Sequence, residues 1–234
     1  MTQKTQANAA DFLPARLLRW FTEERHGTRA LSAVRIGYGL TTFLFLIVNL
    51  PVRQQLWGAE SSYDWELFME GAAQGSQPSL YALSSSALWA DILYFGLMAM
   101  ALLFALGWHT RVITVVFYVL LWSLHARNPL VTNGGDNLVR IILIYLMFAQ
   151  TAAYWSLDAR RNKRRVAAGR VPRNRTAGTI LHNGALIACV TQICILYLAS
   201  GLFKVQGRMW QEGTAVYYVM RTADFNAWPE LSAL

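Results

Sequence analysis

The sequence of 234 residues is short of charge, cysteine and proline. Asp, Glu, Lys and Arg make up only 15% of the residues, whereas soluble domains usually contain about a quarter. The 55% share of hydrophobic residues excludes an intrinsically disordered chain. Two cysteines exclude a disulfide scaffold, and the four scattered histidines lack the spacing of a metal site. The composition therefore favours a membrane protein, and no metal is expected.

The positive charge is concentrated in one segment. The formal net charge is +8, and between Ser156 and Gly178 the one acidic residue is Asp158. This segment separates two long apolar runs, which is typical of a cytoplasmic loop in a membrane protein. A nucleic-acid-binding arm is the alternative, but the segment has no aromatic side chains for base stacking, so no nucleic-acid partner is predicted. Its basic residues are Arg160, Arg161, Lys163, Arg164, Arg165, Arg170, Arg173 and Arg175.

Several segments have the length and apolar character of membrane-spanning helices. A transmembrane helix needs roughly 20 mostly apolar residues to cross about 30 Å of hydrocarbon. The sequence predicts an all-α helical bundle in the lipid bilayer with five spans. They run approximately over Ala30–Leu50, Leu88–Trp108, Arg111–His125, Leu138–Trp155 and Thr179–Phe203.

The distribution of basic residues predicts the orientation of these spans. The leader up to Arg29 has five basic residues, whereas the segment Leu50–Ala87 has a single one, Arg53, beside four acidic residues. Because basic loops stay in the cytoplasm, the chain is predicted to be a multi-pass inner-membrane protein with the N-terminus inside and the C-terminus outside.

The predicted domains are a cytoplasmic leader over residues 1–29 and a transmembrane domain over residues 30–234. The leader has no apolar core and no cleavage site of small residues, so we expect no cleaved signal peptide. Within it, Leu13–Phe21 predicts a short amphipathic helix on the inner membrane surface.

A few polar residues lie inside the predicted spans, where they are costly. Arg35 lies near the inner end of the first span and is expected to extend its side chain to the cytoplasmic interface. His182 and Asn183 are expected to be interfacial for the same reason. Asp91, near the outer end of the second span, is expected to be hydrated.

The polar stretch Asn128–Asn137 joins the third and fourth spans on the predicted outer side. Asp136 is expected to cap the first turn of the fourth span by accepting from free backbone amides. Arg140 follows four residues later, so the two can form an ion pair. The sequence leaves two interpretations open: a capped helix start with a local ion pair, or the rim of a polar outer pocket.

Lys204 lies at the predicted outer end of the fifth span, after the small residues Ala199, Ser200 and Gly201. Small residues allow helices to approach closely, so this end is expected to pack against other helices. A lysine removed from water there would act as a neutral amine base. The alternative is a lysine that anchors the helix end at the interface.

The motifs in these stretches resemble a known family. They are Asn128-Pro129, Asn133-Gly134-Gly135-Asp136-Asn137, Tyr154-Trp155-Ser156-Leu157-Asp158, the run from Tyr197 to Lys204, and Trp210-Gln211-Glu212-Gly213. Together they resemble the horizontally transferred transmembrane (HTTM) domain family, a bacterial group related to the membrane part of vitamin K-dependent γ-carboxylase.

The resemblance implies a chemistry. In the carboxylase, a lysine deprotonates reduced vitamin K, oxygen adds, and the resulting strong base removes a glutamate γ-proton before CO2 attacks. It implies that Lys204 is the catalytic base and that the cofactor is a reduced naphthoquinone. The outer-pocket candidates are Asn133, Asp136, Arg140, Trp210 and Glu212.

The sequence also departs from the carboxylase pattern. A histidine of the carboxylase is replaced near Gly135 and Asp136, one residue is inserted between Lys204 and Trp210, and no soluble substrate-binding domain is expected. The family continues into further membrane helices, so a second chain supplying them is a predicted partner. A non-enzymatic membrane protein that binds a partner, of the immunity or assembly factor type, is the alternative function.

Overall fold

The computed structural model describes residues 13–75, 78–169 and 175–222. All regular structure in these ranges is helical, which confirms the predicted all-α class. Short 3-10 turns lie at Leu50–Val52, Leu80–Leu83 and Pro129–Val131. The helices are α1 (Leu13–Thr22), α2 (Thr28–Val48), α3 (Arg53–Trp57), α4 (Trp65–Ala73), α5 (Ala87–Leu106), α6 (Thr110–Arg127), α7 (Gly134–Phe148), α8 (Leu157–Ala167), α9 (Arg175–Gln206), α10 (Arg208–Gln211) and α11 (Ala215–Arg221).

The chain forms two compact units, residues 1–189 and residues 190–234. In the first unit, α2 packs against α5, α5 against α6, and α6 against α7. Leu97, Phe104, Phe117 and Leu143 are among the fully buried side chains between these helices. At Gly39 the approach of α2 to α5 is so close that a Cβ atom would lie 2.7 Å from the carbonyl oxygen of Ala101. The first unit is therefore a packed helical bundle.

The link between α5 and α6 is short and its ends are capped. Gly107 ends α5 with φ of 68°, a left-handed conformation that favours glycine. The carboxylate of Asp158, from the first turn of α8, accepts from the backbone N–H of His109 at 3.1 Å and of Thr110 at 2.7 Å. A distant acidic residue thus satisfies free amides at the start of α6.

Three helices are long and apolar enough to cross a membrane, in the described part of the chain: α2, α5 and most of α9. The other two predicted spans correspond to α6, with 18 residues, and α7, with 15. The predicted span Leu138–Trp155 is wrong at both ends, because the helix begins at Gly134 and ends at Phe148. The amide side chain of Asn133 caps the earlier start, and residues 149–156 form an irregular segment after the helix.

The sequence predicted that the side chain of Arg35 extends to the cytoplasmic interface, and this prediction is wrong. Its side chain is fully buried. Nη1 donates to the carbonyl oxygens of Phe104, at 2.7 Å, and Ala105, at the end of α5. Nε donates to the carbonyl oxygen of Thr151 at 3.1 Å and Nη2 to that of Trp155 at 2.8 Å. The expectation failed because the C-terminal carbonyls of a neighbouring helix, which carry partial negative charge, supply the partners that water would have supplied.

His182 and Asn183 are also fully buried, so the expectation that these side chains reach water at the interface is wrong. Asn183 donates from Nδ2 to the carbonyl oxygens of Trp20 and Glu24, at 2.9 and 2.7 Å. It accepts from the backbone N–H of His26 at 3.0 Å. These bonds satisfy carbonyls at the C-terminal end of α1, which a helix cannot satisfy by itself. The asparagine thus holds the leader against the beginning of α9.

His182 has a defined tautomer. Its Nδ1 accepts from the backbone N–H of Gln150 at 2.9 Å, so the ring proton is on Nε2. Nε2 then donates to the carbonyl oxygen of His26 at 2.7 Å. The imidazole therefore links the leader to the segment after α7.

Two further predictions concern α1 and Asp91. The predicted helix Leu13–Phe21 is confirmed by α1. Asp91 is partly exposed, in agreement with a hydrated position, but it also pairs with Arg53 at 2.7 Å and accepts from Gln54 at 2.8 Å. Asp91 thereby fixes α3 to the beginning of α5.

The second unit contains the remainder of α9 with α10 and α11. Its large apolar side chains are mostly exposed, including Tyr197 at 72% and Phe203 at 76%. A Cβ atom at Gly201 would have no heavy atom within 4 Å, so the described residues do not show the close helix packing predicted there. The reason is that Ala199, Ser200 and Gly201 are themselves exposed.

Candidate functional site

The first candidate site is the α6–α7 junction, defined as residues 125–140. α7 begins with a capping box, in which the side chain of the residue before the helix and that of its third residue exchange bonds with each other's backbone amides. Asn133 Oδ1 accepts from the N–H of Gly135 at 2.7 Å and of Asp136 at 3.3 Å. In return, Asp136 Oδ2 accepts from the N–H of Asn133 at 2.8 Å. Two predicted site residues are therefore brought together by local backbone bonding.

This arrangement corrects two predictions about Asp136. The cap residue of α7 is Asn133 rather than Asp136, because the helix starts four residues before the predicted Leu138 and places Asp136 in its first turn. The predicted ion pair with Arg140 is not formed. Arg140 instead donates to Asn137 Oδ1, and its guanidinium lies 4.9 Å from the ring centroid of Trp122.

The carboxylate of Asp136 also faces a buried histidine that the sequence did not single out. His125 Nε2 lies 3.8 Å from Asp136 Oδ1, and the histidine side chain is only 7% exposed. Its Nδ1 has no hydrogen-bond partner among the described residues. Eleven residues and a turn separate the two, so no sequence spacing indicated this pair. An imidazole facing a carboxylate is a group able to exchange a proton.

Arg127 and Asn128 attach the junction to the connection that precedes α5. Arg127 is buried and donates to the carbonyl oxygens of Tyr63, at 3.0 Å, and Gly58, at 3.2 Å. Asn128 donates from Nδ2 to the carbonyl oxygen of Leu56 at 2.8 Å. Both side chains donate hydrogen bonds to backbone carbonyls that would otherwise have no donor. The junction is therefore held rigidly at one end of the first unit.

The second candidate site lies in the second unit and contains the predicted base, Lys204. The lysine is exposed, and its Nζ lies 4.8 Å from the ring centroid of Trp210. This brings together two more of the predicted residues. The burial that the sequence suggested for Lys204 is not provided by the described residues, since the helix around it is exposed.

Glu212 follows in the same unit. Its Oε1 accepts from Nε of Arg208 at 2.6 Å, with side chains that are 50% and 88% exposed respectively. Exposed pairs of this kind contribute about 0.3–0.5 kcal/mol to a helix. Glu212 is therefore engaged with a neighbour four residues away rather than with Lys204.

Asp158 is a further polar residue, which the sequence placed in a motif of the family without assigning it a role. Burial raises its pKa, but this is outweighed by donors from the Thr110 N–H and hydroxyl, the His109 N–H and the Arg161 guanidinium, so that the pKa of Asp158 lies below its ordinary value. The residue holds its charge because it caps α6. The sequence signals were its position as the single acidic residue of the basic segment and its place at the end of the motif that begins at Tyr154.

A comparison with protein families bears on both sites. The family model of the HTTM domain matches residues 26–228. The chain belongs to the HTTM domain family. Comparisons with curated proteins and with solved structures found no significant match.

The HTTM domain includes every candidate residue described above. The matched range contains the α6–α7 junction and Lys204 with Trp210 and Glu212. The resemblance predicted from the sequence motifs is thus confirmed at the level of the family. The apolar helices and the family together indicate a membrane protein.

Proposed function

We propose that this HTTM protein spans the inner membrane of a bacterial cell five times, with its N-terminus in the cytoplasm and its C-terminus outside. The observation that supports this proposal most directly is the set of hydrogen bonds from Arg35 to the irregular segment after α7. A helix of 15 residues rises about 22 Å, which is less than the hydrocarbon thickness of about 30 Å. Non-helical backbone at that depth is tolerated only where its polar groups are satisfied inside the protein. The guanidinium of Arg35 supplies such donors to Thr151 and Trp155.

The surface of α6 supports the same proposal. Four exposed valines lie on this helix: Val112, Val115, Val116 and Val119. They are spaced so that they form one exposed side of the helix. An exposed aliphatic side on a helix of 18 residues suits contact with lipid rather than water.

For the chemistry, we propose quinol-dependent proton transfer at the outer end of α9, with Lys204 as the base. This rests on the resemblance to the membrane part of γ-carboxylase, and two features of the second unit support it. The amine of Lys204 makes no hydrogen bond or ion pair to another described side chain, so it is accessible to a substrate. Beside it, the indole of Trp210 provides an aromatic surface.

These two side chains fit a reduced naphthoquinone. An aromatic ring stacks favourably on an indole, and a neutral amine within reach accepts a proton from a hydroxyl group. Because Lys204 is exposed, this role requires the bound ring and the surrounding lipid to exclude water from its amine. The quinol, when bound, supplies the acidic hydroxyl and the reducing equivalents. Lys204 receives the hydroxyl proton at Nζ, and Trp210 positions the aromatic ring of the quinol.

The test measures oxidation of a reduced naphthoquinone by the full chain purified in detergent, with dioxygen as the oxidant. Lys204→Arg should fold as the native chain does but lose turnover, because a guanidinium keeps its proton. The matched control is Arg221→Gln, since Arg221 is also a cation over a ring of the same unit, 4.2 Å from the centroid of Tyr217. It should retain full turnover. Full activity of Lys204→Arg would refute the catalytic role.

The alternative is a non-enzymatic protein that binds a partner chain. The specific observation in its favour is the exposure of large apolar side chains in the second unit, among them Tyr197, Phe203 and Val205. A second chain supplying further membrane helices would cover them. This alternative predicts no turnover dependent on Lys204, and association of the chain in native electrophoresis that is lost in Tyr197→Ser/Phe203→Ser.

A further inference from the structure

A cavity of about 850 Å³ lies at the end of the first unit opposite the α6–α7 junction. Its walls are the start of α6, the end of α7 with the irregular segment that follows, α8, and the first turns of α9. This volume is near the upper end of the range of small-molecule sites, about 300–1,000 Å³. It is much larger than a simple ion requires. The size of the cavity therefore favours an organic ligand.

The walls of the cavity are strongly basic. Arg25, Arg111, Arg161, Lys163 and Arg165 contribute to them, whereas Asp158 is the one acidic residue in the lining that the structure describes. This carboxylate is already engaged by the guanidinium of Arg161 at 2.9 Å and by amides at the start of α6. It cannot neutralise the other cations as well. The cavity thus has an excess of positive charge.

Three of these cations lack partners inside the described chain. Arg111, Lys163 and Arg165 make no side-chain hydrogen bond or ion pair there, and all three are exposed. Positively charged side chains gathered around a concave surface attract an anion, because the walls focus their field. Arginine recognises phosphate with a planar fork of donors that can form two parallel hydrogen bonds.

The cavity also has an apolar part. Leu146 and Met147 at the end of α7, Val112 on α6 and Leu181 on α9 contribute to its lining. A free phosphate ion gains nothing from contact with an apolar surface. A phospholipid does gain from it, because its phosphate is joined to apolar acyl chains. Basic pockets between membrane helices on the cytoplasmic side bind anionic lipid headgroups.

We propose that this cavity binds the phosphate headgroup of an anionic phospholipid, with Lys163 and Arg165 among its ligands. The acyl chains lie against the apolar wall formed by Leu146 and its neighbours. The site belongs to the first unit and involves no step at Lys204. Its test is therefore independent of the proposed quinol chemistry.

The experiment measures thermal unfolding of the full chain in a neutral detergent by tryptophan fluorescence. Dioctanoyl phosphatidylglycerol is titrated in one arm, dioctanoyl phosphatidylcholine in the second and inorganic phosphate in the third. A ligand that binds the folded chain but not the unfolded chain raises Tm by an amount that grows with the ratio of its free concentration to its Kd. We expect phosphatidylglycerol to raise Tm and the other two to have little effect at the same concentrations.

The decisive variant is Lys163→Gln/Arg165→Gln. Each basic side chain near a lipid surface contributes about fivefold in affinity, so the double variant should weaken the Kd by about 25-fold. Its matched control is Arg160→Gln/Arg164→Gln, which removes the same charge from the same helix at positions outside the cavity lining. This control should stay within about twofold of the native Kd. The exchange Lys163→Arg/Arg165→Lys should retain binding.

Several outcomes would overturn the proposal. Equal weakening in the cavity variant and in the Arg160/Arg164 control would show a diffuse attraction of the whole helix rather than a site. Equal stabilisation by phosphatidylcholine would show that the anionic headgroup is not recognised. Stabilisation by inorganic phosphate at the same concentration as phosphatidylglycerol would retain the anion site but reject a lipid as its ligand.

Discussion

Arg35 Nη1 donates to the carbonyl oxygen of Phe104 across 2.7 Å, which joins the N-terminal half of α2 to the end of α5. The same guanidinium also holds the segment after α7 through Thr151 and Trp155. One side chain therefore links three parts of the first unit. A buried guanidinium is stable here because backbone carbonyls accept its donors and the negative end of a helix dipole faces it.

The first prediction concerns this link. Arg35→Gln should lower the free energy of unfolding by about 3 kcal/mol or more, because several buried carbonyls lose their donors and each costs about 1–3 kcal/mol. Arg29→Gln, on the same helix, is the control. Its exposed guanidinium lies 5.3 Å from the ring centroid of Tyr154, and its loss should cost about 0.5–1 kcal/mol. Unfolding in mixed detergent micelles, followed by circular dichroism, measures both, and equal costs would contradict the prediction.

The second prediction concerns the capping box of α7. Asp136→Ala should reduce stability by about 0.5–2 kcal/mol, since the N–H of Asn133 loses its acceptor. Asp136→Asn should be milder because an amide oxygen can still accept. Asn137→Ala, at an exposed neighbouring position, should cost less than about 0.5 kcal/mol. If Asp136→Asn were as damaging as Asp136→Ala in thermal melts, the negative charge facing His125, rather than the capping bond, would carry the stability.

The third prediction is a pH dependence from Asp158. Its pKa in the folded state is below the ordinary value of 3.8, so the folded state binds fewer protons than the unfolded state around that pH. The stabilisation is therefore present above about pH 4 and is lost as the pH falls through the folded-state pKa. Thermal unfolding between about pH 5 and pH 2.5 should show a steeper decline for the native chain than for Asp158→Asn. The exposed Glu70→Gln variant should follow the native curve, and a native slope for Asp158→Asn would exclude this role.

The fourth prediction tests the orientation of the spans. Gly75 and Gly169 have positive φ, so single cysteines are better placed at the exposed neighbours Gln74 and Ala168. In a background without native cysteines, Ala168→Cys should react with a membrane-impermeant maleimide only from the cytoplasm. Gln74→Cys should react only from outside. Labelling of both positions from the same side would refute the five-span topology.

The helices of this protein could largely be predicted from its sequence, but the ends of α7 could not. The apolar runs that became α2 and α5 were placed to within a few residues, because a long apolar segment bounded by polar residues has few alternatives. The fourth span was misplaced because a hydropathy pattern continues through residues 149–155, where the structure has an irregular segment. Hydropathy does not report which backbone groups a distant arginine will bind.

The contacts of the candidate residues also divide into those between sequence neighbours and those that depend on the fold. Asn133 and Asp136 were both candidates from the sequence, and the structure joins them in a capping box, which is a bond between near neighbours. His125 and Asp136 face each other because the turn between α6 and α7 brings them together. The basic segment was evident in the sequence, but the cavity that it lines was not, because its walls come from four separate parts of the chain.

The sequence by itself determined the helical class, the family and the uneven distribution of charge, since each depends on residues that are close along the chain. The tertiary structure decided whether the polar side chains inside the apolar segments are buried or exposed to water. Arg35, His182 and Asn183 are buried rather than interfacial because the fold places unsatisfied carbonyls of other segments within hydrogen-bond distance of them. Burying a polar group is unfavourable unless a partner is supplied, and only the packing of the helices supplies it.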